Sequence, residues 1–242
     1  MIKKHKSTVT CLSWHPNSQL LATGSSDLRC RVFSCYVPEV DGPNQQIANF
    51  SDNRPFGEDY VEFASNGWVN SVAWSPSGNS LAFCGHDSSI HFASFASNPP
   101  AVQVIKTPDL PLFRLMFLSD SCLVGGGHEM VPVLYHNTNM WSQHSKLDSA
   151  TAGASVVAEE KKSSNSAAAR NIFQSKTARG QDAAAQGDKL MTRHENCITC
   201  IQNLSPNAAQ CTKFSTSGLD GRVVVWDLQA LRVDTRALGI AV

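Results

Sequence analysis

Histidine, hydroxyl and carboxylate side chains, the residue types of a hydrolase triad, occur together at two places in this sequence. The set near the end of the chain is His194, Ser215 or Ser217, Asp220 and Trp226, and the partial set near its beginning is His5, Ser25 and Asp27. An active site is not normally copied along a chain. We therefore expect these residues to form a buried hydrogen-bonded network that stabilises the fold, in which every polar group needs a partner.

Histidine and cysteine also occur at spacings that could suggest a metal or redox site. The adjacent pairs His86-Asp87 and His128-Glu129 lie near predicted strand ends, where neighbouring side chains point to different sides and no further ligand has a suitable spacing. Cys197 and Cys200 form a C-x-x-C pair inside a predicted strand, where positions three apart face opposite sides of the sheet. We predict ordinary turns and buried reduced thiols, with no metal and no cofactor.

The stretch from Ser217 to Leu228 predicts the element that positions the second set. Asp220-Gly221 is a two-residue hairpin signal, because both residues tolerate the left-handed backbone of a tight turn. The strand that follows, Val223–Trp226, is apolar on both faces, which predicts a sheet sandwiched between two others. It ends in Trp226-Asp227, the dipeptide that names the WD-repeat family, and the stretch resembles a WD repeat, one blade of a β-propeller.

The same pattern recurs at three earlier positions. Turn acids occur at Asp27, Asp87 and Glu129, and Phe33 and Tyr135 hold the tryptophan position six residues after the first and third of these. Asp87 and Glu129 are 42 residues apart, which matches a repeat of roughly 40–45 residues, and the other two gaps contain insertions. The predicted fold class is all-β, a partial WD-repeat β-propeller of about four blades with a long inserted loop that carries a short helix.

Composition along the chain divides these blades from the insertions. Residues 1–136 are predicted to hold three repeats with a surface loop near 38–65, and residues 194–242 the last repeat and a tail. Residues 137–193 are rich in Ser, Ala, Lys and Gln, so they are predicted to be mostly disordered. Within them a helix is predicted near 167–179, because Ser166 could cap it and Gly180 could end it.

The predicted helix carries the sharpest functional signal in the chain. Ile172 and Phe173 share one of its faces, and Arg170 lies nearby. An apolar pair flanked by arginine on a helix is a recurring form of partner recognition, so we interpret it as a docking element for another protein. The alternative is a helix folded back onto the propeller.

Composition limits the classes of partner. Lys plus Arg and Asp plus Glu each number 20, so the formal net charge is zero, which argues against nucleic acid or an anionic membrane as the main partner. No apolar run follows the basic first residues and none approaches 18 residues, so we expect neither a signal peptide nor a spanning helix. The eight cysteines lie singly in predicted strands, which favours a reduced, cytosolic chain.

Segments spread over essentially the whole chain resemble the family of WD-repeat (forty-kilodalton) subunits of the actin-related protein 2/3 complex. These segments are Ile2-Lys3-Lys4, Trp14–Asn17, Asp27–Ser34, Pro55–Glu58, Gly67–Val69, Pro132–Leu134 and Ala169–Gln174.

The resemblance implies a non-enzymatic scaffold subunit in the complex that nucleates branched actin filaments. Its partners would be the other subunits of that complex, the actin filament and nucleation-promoting factors, and its location the cytoplasmic actin cytoskeleton. The family's insertion helix touches the mother filament, which would give that role to Arg170, Ile172 and Phe173. A generic WD adaptor, such as a ubiquitin-ligase substrate receptor, is the alternative. Such receptors often carry an arginine two residues after the Trp-Asp pair, but in this chain the residue two positions after Trp226-Asp227 is Gln229.

The family's propeller has seven blades, whereas this sequence begins at what would be the fourth. We therefore expect Met1 to be an internal position of a longer propeller. Four blades in a row would leave two apolar blade faces exposed and the ring open, so the chain alone is expected to be unstable or to aggregate.

Overall fold

The computed structural model describes residues 2–42, 54–148, 192–207 and 209–240, which belong to one contact unit. These residues form short β-strands, most of them six residues long, and one helical turn. The strands are β1 (Val9–Trp14), β2 (Leu20–Ser25), β3 (Arg29–Ser34), β4 (Asp59–Ala64), β5 (Val69–Trp74), β6 (Ser80–Gly85), β7 (Ser89–Ser94), β8 (Ala101–Lys106), β9 (Leu112–Ser119), β10 (Cys122–Gly127), β11 (Val133–Asn137), β12 (Trp141–Lys146), β13 (Ile198–Asn203), β14 (Lys213–Gly218) and β15 (Val223–Asp227), and the helix is α1 (Pro38–Asp41). No helix among the described residues is long and apolar enough to cross a membrane.

The strands form four antiparallel sheets, each a meander of consecutive strands. We call them blade 1 (β1–β4), blade 2 (β5–β8), blade 3 (β9–β12) and blade 4 (β13–β15). The first strands of consecutive blades pack side by side. The Thr10 hydroxyl in β1 donates to the Val69 carbonyl in β5, and the Asn70 amide donates to the Leu112 carbonyl in β9 at 3.0 Å. This arrangement confirms the predicted all-β, partial propeller.

Each hydrophobic core lies between two blades. One cluster joins blades 1 and 2 around Val32 and Phe83, a second joins blades 2 and 3 around Phe92 and Leu123, and a third joins blades 3 and 4. The third includes Leu238 of the C-terminal segment, whose carbonyl accepts a hydrogen bond from Ser119 at 3.1 Å. Because a blade buries its apolar residues against its neighbour, its stability depends on that neighbour.

The outer faces of the first and last blades carry exposed apolar side chains. On β1, Leu12 and Trp14 are 60% and 53% exposed, whereas Cys11, which precedes Leu12, packs against blade 2. On β15, Val223 and Val225 are 72% and 56% exposed, while Trp226 is fully buried. Two exposed apolar faces are what an open row of four blades predicts. The expectation that Val223–Trp226 is covered on both faces is wrong, because the described residues cover only the Trp226 side.

The insertions start and end elsewhere than predicted. Strand β4 lies inside the predicted loop 38–65, and β12 lies inside the predicted insertion 137–193. Both are the outermost strands of their blades, and they lack the apolar run that marks the inner strands. Ser142, Gln143 and His144 of β12 and Glu62 of β4 are exposed polar residues. The predicted helix near 167–179 lies outside the described residues, and with it Arg170, Ile172 and Phe173.

Candidate functional site

The histidine, threonine, aspartate and tryptophan of blade 4 form one connected network. His194 Nδ1 lies 3.0 Å from Asp220 Oδ2, and His194 Nε2 lies 2.7 Å from Thr216 Oγ1. The Trp226 indole donates to the same hydroxyl at 2.8 Å. The network ties the segment before β13 to the middle of β14, the β14–β15 turn and β15, so it fixes three strands of one blade together.

Asp220 is held as a carboxylate by the turn around it. Burial alone would raise its pKa, but the backbone N–H groups of Arg222 and Glu195 and the ring of His194 all hydrogen-bond to it, and together they lower the pKa to about 2. The fold therefore stabilises the charged form of Asp220.

A further contact covers the tryptophan of the network: the Arg193 guanidinium lies over the Trp226 ring, 4.8 Å from its centre.

Blade 1 repeats the arrangement with two changes. His5 Nδ1 lies 3.1 Å from Asp27 Oδ2 and Nε2 lies 2.7 Å from Thr23 Oγ1. Arg31, absent from our sequence-based set, donates to the Asp27 carboxylate at 2.8 Å, and Phe33 takes the tryptophan position with its ring edge-on to His5. Burial opposes the charge on Asp27, but the Lys6 N–H, Arg31 and His5 overcome it and hold the pKa of Asp27 well below its usual range.

The predicted hydroxyl partner of the histidine is wrong in both blades. Thr23 and Thr216 bind the histidines, not Ser25 and not Ser215 or Ser217. Side chains alternate across a strand, and Phe214, which pairs with Trp226, lies on the same side as Thr216. Ser215 and Ser217 therefore face away from the indole. Ser25 has another role, since its hydroxyl accepts the Asp27 N–H at 3.1 Å and shapes the turn.

Blade 2 keeps the turn acid and replaces the rest of the network. Asp87 lies in the β6–β7 turn, but Ser65 stands at the position equivalent to His5 and Phe83 at that of Thr23. The Ser89 hydroxyl donates to Asp87 Oδ1 at 2.6 Å and lies 3.0 Å from His91 Nε2. The His91 ring stacks on Phe83 with centroids 4.4 Å apart.

Blade 3 uses its turn acid differently again. Glu129 accepts the backbone N–H of Leu110 at 3.0 Å, and Lys146 pairs with Asp109 at 2.8 Å and lies 4.0 Å from Glu129. Tyr135 occupies the tryptophan position and is 1% exposed. Burial raises the pKa of its phenol. The turn acids thus hold the ends of the strands in every blade, with a different set of partners in each.

The network of blade 4 cannot act as a catalytic triad. His194 is fully buried and Thr216 is 1% exposed, so no substrate could reach the hydroxyl. Both acceptor and donor positions of the imidazole are taken by Asp220 and Thr216. The chemistry available to these residues is hydrogen bonding within the blade.

The cysteines and the other histidine pairs do not form a ligand set either. Cys197 is buried, which raises the pKa of its thiol, and Cys200 is half-buried; all eight cysteines are unpaired. His86 stacks on Trp68, and its ring centre lies 6.3 Å from that of His128. Within 2–42, 54–148, 192–207 and 209–240, no three His, Cys, Asp or Glu side chains are grouped so that they could hold a metal ion.

Comparison with known proteins identifies the repeats. The family model described as "WD domain, G-beta repeat" (WD40) matches residues 1–34, 59–92 and 187–227. The first range covers β1, β2 and β3 of blade 1. The second covers β4 of blade 1 and then β5, β6 and most of β7 of blade 2, and the third covers all three strands of blade 4. The third blade, in which Glu129 and Tyr135 replace the turn aspartate and tryptophan, lies outside them.

The curated relatives that match almost the whole chain are described as the same subunit of one complex. Actin-related protein 2/3 complex subunit 1A of Arabidopsis thaliana is 36% identical over 231 residues, which is 94% of this chain and 60% of that protein. Subunit 1A-A of Xenopus laevis is 36% identical over 245 residues (98% and 62%), and subunit 1 of Schizosaccharomyces pombe is 34% identical over 235 residues (92% and 62%). The chain spans about three fifths of the length of these curated relatives. The chain therefore contains WD40 repeats and is similar, over almost its whole length, to curated subunit 1 proteins of the actin-related protein 2/3 complex.

Proposed function

We propose that this protein is a non-enzymatic scaffold subunit of the actin-related protein 2/3 complex, which nucleates branched actin filaments in the cytoplasm. The observation that carries the proposal is the identity of 34–36% with subunit 1 proteins from a plant, a frog and a yeast over 92–98% of the chain. The other subunits of the complex and actin are the partners this predicts, with nucleation-promoting factors as further ones.

The described residues favour a scaffold over an enzyme. The residues that could form a triad, His194, Thr216 and Asp220, satisfy one another in the interior of a blade. The outer faces of blades 1 and 4 carry exposed apolar side chains, among them Leu12, Trp14, Val223 and Val225, which can contact other proteins. A chain whose polar groups stabilise its own blades and whose apolar surface faces outward suits a subunit held among neighbours.

The filament contact is assigned to the insertion. Arg170, Ile172 and Phe173 combine an apolar pair with a cation, which is the composition of a small protein-binding hot spot. We propose that this segment touches the mother filament and that the blades hold the neighbouring subunits. The two roles are then separable by mutation.

The test is reconstitution of the complex with wild-type chain or with Ile172→Ala/Phe173→Ala. We expect the variant to co-purify with the other subunits and to lose most of its branching activity and filament binding. Arg170→Ala should give a smaller loss. The matched control is Gln174→Ala/Ser175→Ala, which truncates two polar residues of the same segment and should branch like the wild type.

The outcomes separate the two parts of the proposal. Normal branching by Ile172→Ala/Phe173→Ala would remove the filament contact from this segment and leave the subunit assignment intact. Failure of the wild-type chain to co-purify with the other subunits would overturn the subunit assignment and favour a generic WD adaptor.

A further inference from the structure

A pocket with a volume of ≈ 360 Å³ opens where blade 1 meets blade 2. Its lining is Leu28 from the β2–β3 turn together with Asn66, Gly67, Trp68, His86 and Asp87 from blade 2. The Trp68 indole is 58% exposed and stacks on the His86 imidazole with ring centres 6.0 Å apart. An aromatic wall that is this open to solvent is available to a ligand.

The carboxylate in this lining is less well satisfied than its equivalents in other blades. Asp27 is paired with Arg31 and Asp220 contacts His194, but Asp87 forms no ion pair with any described residue. Its Oδ1 accepts from Ser89, whereas its Oδ2 is buried and has no hydrogen-bond partner in the described part of the chain. The cause is that Ser65 stands where blades 1 and 4 have a histidine, so the imidazole that contacts the turn carboxylate in those blades is missing from blade 2.

The neighbouring cation does not neutralise this charge. Arg29, which follows Leu28 in the sequence, forms its ion pair with Glu62 at 2.9 Å. A negative charge without a counter-ion in a partly water-excluded pocket attracts a cation more strongly than a carboxylate at the open surface does. An indole face beside it attracts the same class of ligand through its ring quadrupole.

We propose that this pocket binds the side chain of an arginine or lysine presented by a partner polypeptide. The cation would lie against the Trp68 ring, with the charge of Asp87 beneath it. Leu28 would contact the aliphatic part of the side chain, since long cationic side chains bury their methylene groups against apolar surface. The site is independent of the insertion segment proposed to contact the filament.

The experiment is a titration of the full chain with the peptide acetyl-Gly-Arg-Gly-amide, below the concentration at which the chain associates. The reporter is the ¹⁹F signal of 5-fluorotryptophan at position 68, which is identified by its loss in Trp68→Phe. We expect a saturable shift of this signal. The neutral isostere acetyl-Gly-citrulline-Gly-amide should bind at least about three-fold more weakly, and so should the arginine peptide to Asp87→Asn.

The matched control is Asp120→Asn. It removes one carboxylate from the β9–β10 turn, at the opposite end of the strands from the β6–β7 turn that holds Asp87, and should bind like the wild type. Equal affinity for the citrulline peptide, tighter binding of acetyl-Gly-Glu-Gly-amide, or no response of the Trp68 signal would overturn the proposal. If Asp87→Asn unfolds the blade, the citrulline comparison on the wild-type chain decides.

Discussion

The Trp226 indole and the Thr216 hydroxyl are joined by a hydrogen bond of 2.8 Å in the interior of the last blade. The same oxygen lies 2.7 Å from His194 Nε2, so one small side chain serves two larger ones. Neither ring has another described hydrogen-bond partner for the nitrogen that meets Thr216. The Thr216 hydroxyl is therefore the central point of the network, although no sequence motif marks Thr216 as the Trp-Asp pair marks Trp226.

Replacing Thr216 with Val tests this central role. Valine keeps the shape of the side chain but leaves the Trp226 and His194 nitrogens without a partner, and a buried unsatisfied polar group costs about 1–3 kcal/mol. We expect the free energy of unfolding to fall by about 2 kcal/mol or more. Urea unfolding in dilute solution, followed by tryptophan fluorescence, measures it.

Thr199→Val is the matched control for that substitution. Its hydroxyl makes one bond, to the Ser217 carbonyl at 3.3 Å, and the residue is half-buried. The expected loss is about 0.5 kcal/mol, the lower end for a single hydrogen bond. Equal losses in the two variants would mean that Thr216 has no special place in the network.

The lowered pKa of Asp220 predicts a loss of stability in acid. Its pKa is about 2 in the folded chain and roughly 3.9 when unfolded. The folded state therefore binds its proton less readily, and the stabilisation is present above about pH 4 and is lost as the pH falls toward 2. Asp27, whose pKa is also lowered, adds a loss of the same sign.

Asp220→Asn is the variant that isolates this effect. It should be less stable than the wild type at pH 5, and the difference should shrink toward pH 2, because the wild type is then protonated as well. Unfolding free energies from urea titrations at several pH values measure the difference. A gap that stays constant over this range would show that the charge of Asp220 does not contribute.

Turn chemistry and strand alternation are local, which is why much of the fold could be predicted from the sequence. Asp27, Asp87, Glu129 and Asp220 all lie between the second and third strands of their blades, as their spacing indicated. The threonines could also have been found, because counting outward from the Asp220-Gly221 turn places Thr216 on the side of Trp226.

Other features depend on contacts that no local pattern reveals. Strand β4 is an edge strand and carries the charged residues Asp59 and Glu62 among its six residues, so its sequence resembles that of a loop. The Arg31–Asp27 ion pair and the Arg193–Trp226 contact are two examples, because no motif around these residues predicts that they meet. In blade 2 the sequence shows that Ser65 replaces the histidine, but it does not show that His91 of β7 lies beside Ser89 and Phe83.

The bridge between the first two blades at His15 predicts a second pH effect. His15 Nε2 lies 3.1 Å from the Gly78 carbonyl in blade 2, and its ring meets Trp74 edge-on. Burial lowers the pKa of His15, and the hydrogen bonds to Asn17 and Gly78 offset this only in part. Because the unfolded chain takes up the proton more readily, stability is lost as the pH falls below about 6.5.

His15→Gln removes this contribution to the pH dependence. We expect the slope of unfolding free energy between pH 7.5 and 5 to become shallower than in the wild type. Part of the slope should remain, since burial also lowers the pKa of His91 and of His136. The slope is measured by urea unfolding across this pH range. An unchanged slope would show that protonation of His15 does not lower the free energy of unfolding.

The exposed faces of blades 1 and 4 predict self-association of the isolated chain. Leu12 and Trp14 on one face, and Val223 and Val225 on the other, present apolar surface that the described residues do not cover. We expect light scattering to show association that increases with concentration. Leu12→Lys/Val223→Lys should reduce it, whereas Leu110→Lys, which charges a 55% exposed residue between blades 2 and 3, should not. A monomeric wild-type chain with cooperative unfolding would contradict the expectation.

The close approach of blades 1 and 2 at Gly24 leaves no room for a side chain. A Cβ atom there would overlap Val69 Cγ1 of blade 2 and lie 2.6 Å from Cys11 Sγ. Gly24→Ala should therefore lower the free energy of unfolding by about 1–3 kcal/mol, the usual effect of overpacking a core. Val69→Ala removes Val69 Cγ1, the nearest of the atoms that clash, and leaves a cavity. In the double variant we expect the losses to be less than additive by about 1 kcal/mol, because the new methyl group fills that cavity. Additive losses in this double-mutant cycle, measured by urea unfolding, would mean that Gly24 is needed for its backbone and not for the spacing between the blades.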